Sequence, residues 1–185
     1  IINTRLINDL EQAEHAVQEL SENEVIINAI SRKRNNSLSI YSELYAISKD
    51  IRDFAAVDIY QGSKCIFSTA TSSLSKELPL NYSVLREAAE KEDSIIFSLD
   101  PTYSSENGAD ILIAKEINGE ENQGFVVVRI EQEEIESRLK DSINAKDGFM
   151  LTDRFFRPYC LIGTAKDSKA LALIRSNLLN KISYN

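Results

Sequence analysis

The side chains best able to carry covalent or metal chemistry are few in this chain and far apart. The single histidine is His15. A Ser-His-Asp or Cys-His constellation therefore has one candidate base, and it sits in a stretch patterned as a long helix. Cys65 and Cys160 lie 95 positions apart (160 − 65), with no C-x-x-C and no second histidine. A zinc site takes about four such ligands, so no metal site is expected. Both cysteines fall in strand-patterned segments, where a buried free thiol is the commoner outcome, although the count allows a disulfide. Neither G-x-G-x-x-G nor G-x-x-x-x-G-K-[ST] occurs, and no cofactor is expected. Carboxylates are plentiful, yet none is set apart by neighbours that would shift its pKa. These residues point away from an enzyme.

Composition narrows the remaining classes. The chain has 185 residues, with 21 Lys plus Arg against 29 Asp plus Glu, a net charge of −8. An acidic surface argues against nucleic acid as a partner, because neutralising phosphates takes clustered Lys and Arg. Gly and Pro are scarce and 43% of the chain is hydrophobic, which is ample for a packed core. The longest apolar run, Ala170 to Ile174, is far short of the roughly 18–20 residues that span a bilayer. The N-terminus lacks the basic-then-apolar build of a cleavable signal. A soluble domain without membrane helices of its own is expected.

Residues 3–32 read as one long helix. Leu6, Leu10, Ala13, Val17, Leu20 and Ile27 follow alternating four- and three-residue steps, interrupted by Glu24. Such a narrow stripe suits a partner helix, as in a homodimer, or the helix's own domain. Arg32, Lys33 and Arg34 put positive charge at its C-terminal end, where the helix dipole favours it. Asn35 and Asn36 offer a break. A second helix follows from about Ser37 to Asp53. The period then changes to that of strands. Val57 to Tyr60, the turn Gln61-Gly62-Ser63, and Lys64 to Ser68 form a hairpin. Residues 69–80 are a polar loop, and Asn81 caps a short helix through Glu90. Ser94 to Leu99 is a third strand. After a loop over 100–108 come two stronger strands, Asp110 to Ile117 and Gly124 to Ile130. A helix from Gln132 to about Ser142 leads to a second hairpin, Gly148 to Thr152 with Arg157 to Ile162. Asp167 caps a last helix with Leu171, Ile174, Leu178 and Ile182 on one face.

This order resembles the Cache branch of the PAS-like folds, the extracytoplasmic sensor domains of bacterial transmembrane receptors, notably sensor histidine kinases. The segments that carry the resemblance are Val57-Asp58-Ile59-Tyr60-Gln61-Gly62-Ser63-Lys64-Cys65-Ile66-Phe67-Ser68 and Gly124-Phe125-Val126-Val127-Val128-Arg129-Ile130 before an acidic helix. It implies an α+β fold: an antiparallel PAS-like sheet, a long N-terminal helix, and a partial second, membrane-proximal module. The implied divisions are 1–53, N-terminal dimerisation and signal helices; 54–142, sensor core and exit helix; and 143–185, a truncated or reduced membrane-proximal module. The implied function is small-molecule sensing on the outer side of the cell membrane, with the signal passed along the long helix to a histidine kinase of a two-component system. A chemotaxis or cyclic-dinucleotide output, or a structural dimerisation module that binds no ligand, are the alternatives. The family's amino-acid-binding set of spaced Tyr, Arg, Trp and Asp is not recognisable, and there is no Trp. Ligand identity does not carry over.

Candidate ligand-binding residues come from the central hairpin. Symmetric closure about Glu120-Glu121 sets Glu116 opposite Phe125 and Leu112 opposite Arg129. Period-two alternation then puts Ile111, Ile113, Lys115, Ile117, Val126, Val128 and Ile130 on one face. Asp110, Leu112, Ala114, Glu116, Phe125, Val127 and Arg129 fall on the other. The first face is core against the long helices. On the second, Asp110 and Arg129 suit a site for a small polar or anionic ligand, or form a diagonal ion pair near the sheet edge. Tyr103 is the aromatic placed over such a pocket, or is simply packed on the sheet. Lys115 is odd on its apolar face, and snorkels to the rim or reaches a ligand if the two faces are exchanged.

Overall fold

A computed structural model describes residues 2–31, 36–70, 84–91, 93–99, 109–118, 122–140, 143, 147–152, 158–167, 169, 172–173 and 176–177. At its centre is a five-stranded antiparallel sheet. The strands are β1 (Ala55–Gln61), β2 (Lys64–Ser68), β3 (Ile96–Leu99), β4 (Ile111–Ile117) and β5 (Gly124–Ile130), in the order β2-β1-β5-β4-β3. The fold is thus the expected α+β arrangement of antiparallel sheet and helices. The β1–β2 turn takes Gly62 through φ 57°, a left-handed conformation that glycine adopts without a Cβ penalty. In the central pair Leu112 faces Arg129 and Glu116 faces Phe125, the register that symmetric hairpin closure gives. Arg129 lies on an interior strand, so the Asp110–Arg129 pair is at the end of the sheet and not at its edge.

One face of the sheet carries a helical layer: α1 (Ile2–Glu22), α2 (Glu24–Ser31) and α3 (Ser37–Ile47). The expected single helix over 3–32 is divided at Asn23. Its side-chain oxygen accepts from the N–H groups of Val25 (2.9 Å) and Ile26 (3.2 Å), which starts a new helix in place of continuing the old one. Its amide nitrogen donates to Glu43 of α3 at 3.1 Å. Leu6, Ala13, Val17 and Leu20 are buried with Val57, Ile59, Ile113, Ile117, Val126 and Val128. Of the two uses open to that stripe, packing on its own domain is the one observed. Ile30 of α2 lies so close over Gly124 that a Cβ there would strike its side chain, and the Ile30 carbonyl accepts from Gln61 (2.7 Å) and Asn122 (3.2 Å). α3 is shorter than expected. It ends in a 3-10 turn at Ser48–Asp50, where Ser48 Oγ donates back to the Leu44 carbonyl at 2.5 Å.

On the opposite face α4 (Val84–Glu90) packs over β4 and β3, and its Val84, Leu85 and Ala88 share a buried cluster with Tyr60, Ile96, Leu112, Ala114, Phe125 and Val127. After β5 comes α5 (Gln132–Lys140), fixed to α1 through one guanidinium. Arg138 donates to Asp9 of α1 (2.7 Å), Asp53 (3.0 Å) and Glu134 (2.9 Å), and stands 4.4 Å above the Phe54 ring. Burial works against its charge, but Asp9 and Asp53 outweigh it and hold the guanidinium more firmly protonated than usual. The second hairpin is β6 (Gly148–Thr152) with β7 (Pro158–Gly163), a separate two-stranded sheet whose Cys160 and Leu151 pack into the same core as α1. Asp167 accepts from the Lys169 N–H at 2.9 Å, a capping bond. Asn81, Arg32, Lys33, Arg34 and the apolar face Leu171, Ile174, Leu178 and Ile182 lie outside the described residues. Among the described residues no helix is long and apolar enough to cross a membrane.

Candidate functional site

The side chains on the α4 face of the sheet fall into three rows set by strand register. Ala56, Arg129, Leu112 and Ser98 form the first. Asp58, Val127, Ala114 and Ile96 form the second, with Ser68 beyond Asp58 on β2. Tyr60, Phe125 and Glu116 form the third, with Cys65 beyond Tyr60. A sheet face covered by a helix is ordinarily apolar, and most of this one is. Arg129 and Asp58 interrupt it, and both are buried, at 7% and 1% exposure.

Arg129 is brought together with Asp110. Its Nη1 is 3.8 Å from Asp110 Oδ2 and 3.2 Å from Glu131 Oε1. Asp110 has a second duty, because its Oδ1 accepts from the backbone N–H of Gln132 at 2.9 Å. A carboxylate at that position satisfies one of the free N–H groups at the start of α5 and complements the helix dipole. The pair thus ties the end of β5 to the exit helix. A cleft of about 330 Å³ opens beside Arg129, lined also by Arg52, Phe54, Ala56, Thr69 and Glu134.

Lys115 is not part of this group. It projects from the other face of β4, is 6% exposed, and donates to Gln18 Oε1 of α1 at 3.0 Å with Glu22 at 3.8 Å. The faces are not exchanged, and its charged end is satisfied by the helix. Tyr103 lies outside the described residues. His15 is on the solvent side of α1, 3.7 Å from Glu19. Cys65 and Cys160 are free thiols. Burial pushes both up to about 12, helped by the charge of Asp58 at Cys65 and of Glu136 at Cys160.

Asp58 is the residue that sequence reasoning passed over. Neither of its carboxylate oxygens has a hydrogen-bond partner. Burial pushes its pKa upward, against the Ser68 hydroxyl and the Arg129 charge, which both favour the ionised form. No hydrogen bond of ordinary geometry joins Ser68 to it, and Ser68 Oγ itself accepts from the Ala70 N–H at 3.1 Å. The alternation in Val57-Asp58-Ile59-Tyr60 puts Asp58 and Tyr60 on one face. What would have singled out Asp58 is that β1 pairs with β5 and so places it on the Arg129 face.

No protein-family model matches the chain, and no curated protein matches it in sequence. Solved structures do. The sensor domain of the V. cholerae histidine kinase DctB is similar at a TM-score of 0.58 and 17% identity, over 85% of this chain and 62% of that one. The ligand-binding domain of the Campylobacter jejuni chemoreceptor Tlp3, in complex with 4-methylisoleucine, is similar at 0.56 and 16%, over 84% and 63%. The ligand-binding domain of the Pseudomonas aeruginosa amino acid chemoreceptor PctC, in complex with GABA, is similar at 0.52 and 10%, over 80% and 66%. The shared property is the fold, and the chain spans less than two thirds of the length of each of these domains.

Proposed function

We propose that this chain is the extracytoplasmic, ligand-sensing part of a bacterial membrane receptor with a sensor histidine kinase as its output. The observation that carries the reading is the α4 face of the sheet, where Asp58 and Arg129 are buried among apolar side chains on a fold shared with sensor domains. A domain with only structural duties has no need to desolvate two charges there, since doing so costs stability unless something pairs with them. The ligand is a small polar molecule held in the cleft beside Arg129. The same geometry serves a chemoreceptor output, which the likeness to Tlp3 supports at a TM-score close to that of DctB. Residues 143–185 are the start of the membrane-proximal module, and 1–53 supply the signal helices.

The chain acts as a homodimer through α1, using the outward side of the helix where Ile7 is 41% exposed, because Leu6, Val17 and Leu20 are occupied by the domain's own core. Sedimentation of an Ile7→Glu variant as a monomer supports this contact, and an unchanged dimer removes it. The sensing role is tested by thermal shift of the purified domain against amino acids, organic acids, amines, sugars and purines. A ligand at about 100 times its Kd adds roughly 2.7 kcal/mol, which raises Tm by several degrees in a domain of this size. A folded protein that responds to no member of the panel overturns the sensing role.

A further inference from the structure

Asp58, Asp110 and Glu131 lie around one guanidinium, in unlike surroundings. Arg129 Nη1 is 3.8 Å from Asp110 Oδ2 and 3.2 Å from Glu131 Oε1, whose side chain is 54% exposed. Asp58 is one register row away on the same face, near enough to feel the Arg129 charge. It is 1% exposed, with no hydrogen bond on either oxygen. A charge in that setting costs far more than a neutral carboxyl, so burial favours the protonated acid. The other ionisable groups on this side of the sheet, among the described residues, are Tyr60 on the same strand, Cys65 on β2 and Glu116 on β4. Burial pushes the Cys65 thiol up to about 12, and Glu116 accepts from Gln123 at 2.8 Å. Ser68 on β2 adds a hydroxyl, and α4 turns apolar side chains inward over β3 and β4. Arg129 is therefore the cation, among the described residues, to which an ionised Asp58 turns. A guanidinium has five donors, and a buried carboxylate competes well with a solvated one because attraction strengthens as the local dielectric falls. Asp110 also holds the Gln132 N–H at the start of α5, so the place of Arg129 sets how firmly β5 is joined to the exit helix.

We propose that Asp58 is a proton switch acting on Arg129: neutral Asp58 leaves the guanidinium with Asp110 and Glu131, and ionised Asp58 draws it along the face and loosens the join between β5 and α5. Acid keeps the join tight, and rising pH releases it. The domain then responds to the pH of its surroundings with the proton as ligand. This stands apart from the small-molecule role, since a domain silent to every compound in the panel still shows the proton response.

The test is an NMR pH titration of the full chain, wild type and Asp58→Asn, following the side-chain carboxyl carbons and the Arg129 side-chain nitrogens. In the wild type Asp58 titrates above the ordinary aspartate value of 3.8, and the Asp110 and Arg129 resonances take a step at the same midpoint. Exchange of the Gln132 amide, corrected for the intrinsic effect of pH, quickens several-fold across that midpoint. Both changes are lost in Asp58→Asn. An Asp58 midpoint at or below 3.8 overturns the switch, and so does an Asp58 that keeps its proton until the domain unfolds. Arg129 resonances that stay flat through the Asp58 midpoint overturn it, because the proton is then not passed on. A step that persists in folded Asp58→Asn protein also overturns it. Should the variant not fold, the wild type decides alone. One midpoint shared by Asp58, Asp110 and Arg129 supports the switch, and separate midpoints overturn it.

Discussion

The two faces of the central sheet each bury a charge on an otherwise apolar surface, and they treat it differently. On the helix-layer face Lys115 is met by Gln18 and Glu22 of α1, so its ammonium has a partner in the domain itself. On the α4 face Asp58 is more deeply buried and neither oxygen is satisfied. The covering elements explain the contrast. α1 is 21 residues long and brings Gln18 and Glu22 down over Lys115 at helical spacing, while α4 has 7 residues and packs over β3 and β4, away from Asp58 on β1. A long amphipathic helix completes its face of the sheet. The seven-residue α4 lies over the β3–β4 side of its face.

The contrast is tested most strongly by removing apolar mass from the completed face. Leu20→Ala lowers unfolding free energy in urea by about 3 kcal/mol, the ordinary cost of a fully buried leucine. A loss near zero would mean that α1 does not seal that face. Arg129→Ala has the next largest effect. It removes the ion pair to Asp110, whose side chain is 15% exposed, and lowers stability by roughly 2 kcal/mol in the same assay. It also removes the charge that favours ionised Asp58, so the Asp58 carboxyl moves further upward.

The smallest effect is the sharpest comparison between the faces. A buried acid whose pKa is raised on folding holds its proton to higher pH in the folded protein than in the unfolded chain. Stability is therefore lost as pH rises from the ordinary aspartate value of 3.8 through the folded value. Asp58→Asn removes that loss and gains about 1 kcal/mol over the wild type at neutral pH, with the gap closing on acidification. Lys115→Met stays within about 0.5 kcal/mol of the wild type, because a satisfied buried charge is exchanged for apolar packing. Urea titrations across the pH range measure both. A wild-type profile identical to that of Asp58→Asn would mean that Asp58 is not desolvated and that the two faces are alike.

Period-two alternation and a polar connection were enough to place Leu112 opposite Arg129 and Lys115 on the helix side, because both follow from local pairing. What covers each face was not legible in this way. Asp58 reads as the polar step of an alternating strand, and its burial follows from the place of β1 between β2 and β5. The Leu6 to Ile27 stripe has the same spacing whether a partner helix or a sheet receives it. Asn23 breaks the helix through its own side chain, although the apolar steps run across it. Tyr103 lies outside the described residues.

The break at Asn23 also fixes how a mechanical input would be routed. Val25 and Ile26 bond to the Asn23 side chain and not to carbonyls one turn back, so the hydrogen-bond ladder is interrupted between α1 and α2. α1 therefore behaves as a strut with a joint at its far end. A thrust along its axis is not carried straight into α2. It is delivered sideways through Val17 and Leu20 to the strands beneath, and through Asp9 and Arg138 to the exit helix.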